Sequence, residues 1–192
     1  QYYVDIKFWI GHLQVGAKSE TFDKALSPVS SGQLMWSGNA RAIPKVALST
    51  NGFQALPLTF GLLEFKAYFA HAWLGDKRYV EDPYLHHKNI FVRFGGDWPV
   101  RASYGFQHFA VWGGVSPKYG DLQSGFEDLL KVIVPSNASE EHPIPGERKN
   151  AYGNHLGSRQ FGLELFTSPL DVHLYWQTVF EDNSGKDWRN IG

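Results

Sequence analysis

The chain has 192 residues, a formal net charge of −1 and no cysteine; 43% of its side chains are hydrophobic and only 19% are charged. That length suits one core-forming domain, the near-neutral charge gives no electrostatic basis for nucleic-acid binding, and the lack of cysteine excludes disulfides and thiolate metal sites. Aromatics reach 16% while mean hydropathy stays negative, so apolar residues are dispersed, and no run approaches the roughly 18 that a spanning helix needs.

The dominant pattern has a period of two, which places alternate side chains on opposite faces of a strand. A first strand is expected over residues 2–17. There Val4, Ile6, Phe8 and Ile10 alternate with Asp5 and Lys7 before the apolar phase slips to Leu13, Val15 and Ala17. A slip of one residue near Gly11 reads as a bulge. A weaker second strand over 39–49 is interrupted by Pro44. The third, 58–74, sets Leu63, Phe65, Ala67, Phe69 and Trp73 against Glu64, Lys66 and Tyr68. The fourth, 88–94, opposes Ile90, Val92 and Phe94 to Asn89 and Arg93. The fifth, 98–112, opposes Val100, Ala102, Tyr104 and Phe106 to Arg101, Ser103 and Gln107. The sixth, 158–166, and the seventh, 170–181, bring Gln160, Glu164, Asp171 and His173 to the polar side.

The links carry as much information as the strands. Residues 95–97 and 167–169 are tight turns and 51–57 is short, whereas 18–38, 75–87 and 113–157 are long. Long and short links therefore alternate, as they do in a membrane barrel with short periplasmic turns and long outer loops. The longest link carries a predicted short helix over 124–132, where Phe126, Leu129, Leu130 and Ile133 recur at helical spacing. Beyond it Pro135, Pro143 and Pro145 mark irregular chain. Seven strands fall short of the even count, from about eight upward, of single-chain bacterial barrels. An open sheet would also leave bare edges in lipid, and Gln1 opens directly inside a strand pattern. The expectation is one incomplete all-β domain over 1–192, part of an antiparallel transmembrane β-barrel. Its predicted lumen-facing polar set is Asp5, Lys7, Glu64, Lys66, Arg93, Arg101, Gln107, Glu164, Asp171 and His173.

Five blocks then become familiar in order: 31–44 (SGQLMWSGNARAIP), 84–88 (YLHHK), 105–114 (GFQHFAVWGG), 153–158 (GNHLGS) and 180–185 (FEDNSG). Together they resemble the Wzi family of outer-membrane capsule-assembly proteins, in its Bacteroidetes branch. The resemblance implies a barrel of about eighteen strands in the bacterial outer membrane. It also implies a lectin-like, non-catalytic role in attaching capsular polysaccharide at the cell surface, with capsule export machinery as a candidate partner. Family members run to about twice this length, so the chain reads as an interior or C-terminal portion. A porin-like channel and a soluble carbohydrate-binding sandwich or glycosidase are the alternatives.

Each chemistry-bearing cluster has a plainer account. The 181–187 stretch offers oxygen ligands for a hard cation, yet it lacks calcium-loop spacing and reads as a turn bonded to its own backbone. His86 and His87 could ligate a transition metal, but adjacent strand residues point apart, so a pair at the start of a strand, one wet and one interfacial, is expected. His155 reads as a turn residue. Glu164 and Asp171 flank one turn on the polar face, as a glycosidase pair would. An ionic lattice with Lys66, Arg93 and Arg101 is the simpler account. No nucleophile elbow is present. No enzyme, catalytic residue, metal or cofactor is expected. Strand-end tryptophans such as Trp9, Trp73, Trp98, Trp112 and Trp176 read as an interfacial girdle. With a glycan partner in view, Trp188 and Tyr119, together with Asp182, Asn183 and Asp187, are the candidate glycan contacts.

Overall fold

A computed structural model describes residues 1–20, 34–37, 39–75, 79–146, 148 and 151–181. In chain order the strands are β1 (Tyr2–Phe8), β2 (Gly11–Lys18), β3 (Ile43–Thr50), β4 (Gln54–Ala55), β5 (Leu63–Trp73), β6 (Tyr84–Phe94), β7 (Val100–Trp112), β8 (Val115–Ser116), β9 (Gly120–Asp121), β10 (Asn154–Phe166) and β11 (Asp171–Glu181). One helix, α1 (Phe126–Ile133), lies between β9 and β10. Eight strands form an antiparallel meander in the order β1-β2-β3-β5-β6-β7-β10-β11, with β4 as a short annex on β5. Among the described residues β1 and β11 each pair on one side only. These residues form an open sheet with two edges, not a closed ring.

The expected first strand is two strands. Tyr2–Phe8 and Gly11–Lys18 pair through Val4↔Val15 and Ile6↔Leu13 across a turn at Trp9-Ile10. In an antiparallel pair, opposed residues share a face. An odd-numbered pairing sum therefore returns the chain to the same face one step out of phase, and the apparent bulge is the turn itself. The strand count rises from seven to eight. Elsewhere the strands lie close to where the alternation placed them, but β6 and β10 begin four residues earlier, at Tyr84 and Asn154, and β3 and β5 begin four and five residues later, at Ile43 and Leu63. The long link accordingly runs over 113–153.

All four turns between neighbouring strands at Trp9-Ile10, 51–62, 95–99 and 167–170 sit at one end of the sheet; the long connections sit at the other. Register fixes the faces. Gln14↔Ala47, Ala47↔Ala70, Ala70↔His87, His87↔Phe109 and Phe109↔Leu156 run across six strands on one side. All ten of the predicted polar-face residues fall on that side: Asp5 opposes Gln14, Lys7 opposes His12, Glu64 opposes Arg93 and Lys66 opposes Phe91. Gln107 opposes Ser158, Arg101 opposes Glu164, Glu164 opposes His173 and Asp171 opposes Phe166.

Two hydrophobic clusters sit at the loop end, one on each face. On the polar face Ile43, Ala72, Leu85 and Phe109 are covered by Met35, Trp36 and Leu74. On the apolar face Ala110 and Trp112 are covered by Val132, Ala138 and Tyr152 of the long link. Among the described residues, no such cluster covers the apolar face toward the turn end. Val4 is 60% exposed, Leu48 51% and Leu174 60%, while on the opposite face Gln107 is 2% exposed and Gln160 6%. Sorting by solvent is thus reversed relative to a water-soluble sheet.

Strand packing on the polar face is tight at Gly105. It opposes Phe91 in register, and a Cβ there would lie 2.2 Å from the Phe91 ring. Phe91 is buried, so the ring has nowhere to swing. Gly105→Val is expected to destabilise the full-length protein by about 1–3 kcal/mol through overpacking. Denaturant unfolding checks this, and Phe91→Ala in the same chain should make the combined cost less than the sum of the two.

Candidate functional site

The polar face divides into three zones along the strands. At the loop end Trp36 lies flat on it, stacked with Phe109 at 5.8 Å and 16° and with His87 at 6.1 Å and 12°. His87 in turn stacks on Phe109 at 3.9 Å. Glu20 is the hub of this zone. Its carboxylate accepts from the Tyr68 hydroxyl at 2.8 Å and pairs with the Lys45 ammonium at 3.2 Å. Its carbonyl accepts from the Trp36 indole N–H at 3.2 Å. Lys45 also donates to the Lys18 carbonyl at 3.0 Å. One pair of charges therefore ties the first long connection to β3 and β5.

The middle zone is an amide stripe. Asn89, Gln107, Ser158 and Gln160 are buried, Gln177 Nε2 donates to Gln160 Oε1 at 3.0 Å, and the Leu34 N–H donates to Gln177 Oε1 at 3.3 Å. Residues 34–36 thus reach from Trp36 over β6 and β7 to a side chain of β11.

The turn-end zone is ionic. Arg93 Nε donates to Glu64 at 2.8 Å and its guanidinium lies 4.2 Å from the Phe53 ring. Lys66 stacks on Phe91 and Phe53 at 5.0 and 5.5 Å. Glu164 lies 3.7 Å from His173, and Arg101 packs over Phe166 at 4.7 Å. The zone is ionic, but not with the expected pairings: Arg93 bonds Glu64, and Glu164 lies by His173 although Arg101 stands opposite it on β7. Glu164 and Asp171 are diagonal neighbours in the register, with Glu164 engaged by His173. Asp5 pairs with Lys18, with His12 at 3.4 Å.

The histidines fall differently from expectation. His86 and His87 lie inside β6, on opposite faces as the alternation requires, and both are buried, so neither is wet. His155 is a strand residue of β10, not a turn residue. Its Nε2 meets the Tyr152 carbonyl at 2.8 Å, which requires a proton there; its Nδ1 therefore accepts from His108 Nε2 at 2.8 Å. This pair, under the long link on the apolar face, escaped sequence reading because β7 and β10 are joined only by their register. Among the described residues no group of three or more His, Asp or Glu is arranged to hold a metal.

Of the candidate glycan contacts, Trp188, Asp182, Asn183 and Asp187 lie outside the described residues. Tyr119 sits in the turn between β8 and β9, beyond the loop end of the sheet. Lys118 lies 4.9 Å from its ring, and the hydrogen bond to Tyr119 holds the ammonium above the ordinary lysine range. Glu81 and Val115 exchange two backbone hydrogen bonds of 2.9 Å, which joins this ribbon to the segment bearing the exposed Tyr79. Two tyrosines and a lysine thus come from two different loop-end connections, a grouping that linear spacing does not show. No family model matches the chain, and neither the curated proteins nor the solved structures give a match.

Proposed function

We propose that this chain is part of an outer-membrane β-barrel that attaches surface polysaccharide without catalysing its cleavage. The observation that carries the reading is the reversed sorting of the sheet, greasy where it is exposed and amide-rich where it is buried. Water cannot be the neighbour that such a face is suited to; hydrocarbon is. Helix α1 supports it further. Phe126 and Leu130, four residues apart on α1, are exposed apolar residues, as is Val134 just past its end, while Val132 and Leu129 pack toward the sheet. A helix greasy on both its sheet side and its outer side suits an interfacial position in lipid. The turn-end residue Trp9, 93% exposed, fits the opposite aromatic girdle.

The loop-end Tyr79, Lys118 and Tyr119 supply the polysaccharide surface in this reading, as an aromatic and cationic patch. Residues 34–36 across the polar face favour attachment over a conducting pore, because they lie on the side that would be the lumen. Two measurements on the full-length protein test the proposal. It should sediment with outer membranes and require detergent for release; recovery in the aqueous fraction after lysis overturns the membrane part. Tyr79→Ala with Tyr119→Ala should weaken binding of the host's capsular polysaccharide about tenfold by calorimetry. Unchanged binding removes the loop-end patch from the reading.

A further inference from the structure

A hollow of about 380 Å³ opens at the turn end of the polar face, bordered by Phe60, Glu64, Arg93, Asp97, Trp98 and Arg101. It is large enough for a small-molecule site. Its charges are not evenly matched. Arg93 is satisfied by Glu64 at 2.8 Å, and Asp97 is exposed at the rim. Arg101 is different: its Nε is shielded from solvent and has no acceptor among the described residues. The acidic side chain opposite it in register, Glu164, lies against His173 instead. A shielded guanidinium N–H without an acceptor is costly, and the planar fork of arginine suits a carboxylate.

The mouth of the hollow is aromatic. Trp98 is 51% exposed and its ring meets Phe94 edge-on at 5.6 Å, which fixes its orientation. Phe60 is 98% exposed in a turn where Leu58 and Phe60 have φ of +67° and +52°. Bulky residues rarely occupy that region, and where they do the strain tends to serve a binding or switching site. An arginine over Phe166 whose Nε has no acceptor among the described residues, in a hollow that Trp98 and Phe60 also border, is chemistry suited to an acidic sugar, with carboxylate for the guanidinium and ring C–H faces for the aromatics.

We propose that this hollow binds a uronic-acid unit of an acidic polysaccharide, with Arg101 receiving the carboxylate and Trp98 and Phe60 flanking the sugar ring. The inference rests on the polysaccharide-attachment reading and adds to it a second contact at the turn end, the periplasmic end of such a barrel, opposite Tyr79 and Tyr119 at the outer end. The test uses the full-length protein in detergent, with trigalacturonic acid as probe and maltotriose as its neutral counterpart. Binding of the uronate should exceed that of maltotriose at least tenfold and weaken as salt rises. Arg101→Gln should erase that preference, Arg101→Lys should retain part of it, and Trp98→Ala should weaken both sugars. Saturation-transfer NMR on the unmutated protein, with the ring protons of the sugar receiving magnetisation from aromatic side chains, supports the site independently of how any variant folds. Three results overturn the inference: no binding of the uronate, uronate binding unchanged by Arg101→Gln, or displacement of the uronate by an equal concentration of acetate. If Arg101→Gln leaves binding intact while Tyr79→Ala with Tyr119→Ala abolishes it, the turn-end site fails and the attachment reading stands. If neither oligosaccharide nor the host capsule binds at all, both fail.

Discussion

Ile90→Arg is expected to lower the stability of the full-length protein in lipid bilayers by about 2–4 kcal/mol, the cost of an arginine near the midplane on a lipid-facing barrel position. Ile90 lies on the apolar face of β6, opposed by Ala67 on one side and Phe106 on the other, and is 47% exposed. In a water-soluble sheet the same change at so exposed a site should fall within about 0.5 kcal/mol of neutral. The two readings of this face therefore differ several-fold in one measurement. Urea unfolding from vesicles, followed by the gel shift between folded and heated barrel, reads the difference. A change below about 0.5 kcal/mol would mean water, not hydrocarbon, contacts this face.

Lys45→Met carries the second large effect. The Lys45 and Glu20 side chains are 5% and 13% exposed, and their 3.2 Å pair is the charge balance of the loop-end zone. Removing one partner of a buried pair strands the other, typically at about 3–5 kcal/mol. Here the lower end of that range is expected, since the Tyr68 hydroxyl continues to bond Glu20. Combining Lys45→Met with Glu20→Gln removes the stranded charge and should recover a substantial part of the loss, so a double-mutant cycle isolates the pair. The same variant bears on the channel alternative. Were Lys45 a solvated pore residue, Lys45→Met would alter ion selectivity in planar bilayers and leave stability almost unchanged; a large stability loss assigns it to anchoring residues 18–20 instead.

How far the sequence could be read depended on the range of the interaction involved. Alternation along β5, β7 and β11 is local, because neighbouring side chains must point oppositely, and it placed all ten polar-face residues on one side. The slip after Gly11 was equally visible, but a bulge and a two-residue hairpin produce the same phase change. Only the pairing of Val4 with Val15 separates them. Glu164 was expected to meet an arginine; in register it stands between Arg101 on β7 and His173 on β11, and its carboxylate lies by His173 while Arg101 packs over Phe166.

The periodicity and link lengths by themselves determined that this is an antiparallel all-β chain with a greasy and a polar face, turns at one end and long connections at the other. Those features are written residue by residue in steric preference and side-chain polarity. What lies on top of each face was decided only by tertiary structure. Trp36 on His87 and Phe109, the linked His108 and His155 beneath the long connection, and Arg101 over Phe166 all join segments far apart in the chain. Such contacts depend on strand register and on where a long connection folds back, and neither is encoded in the polarity of nearest neighbours.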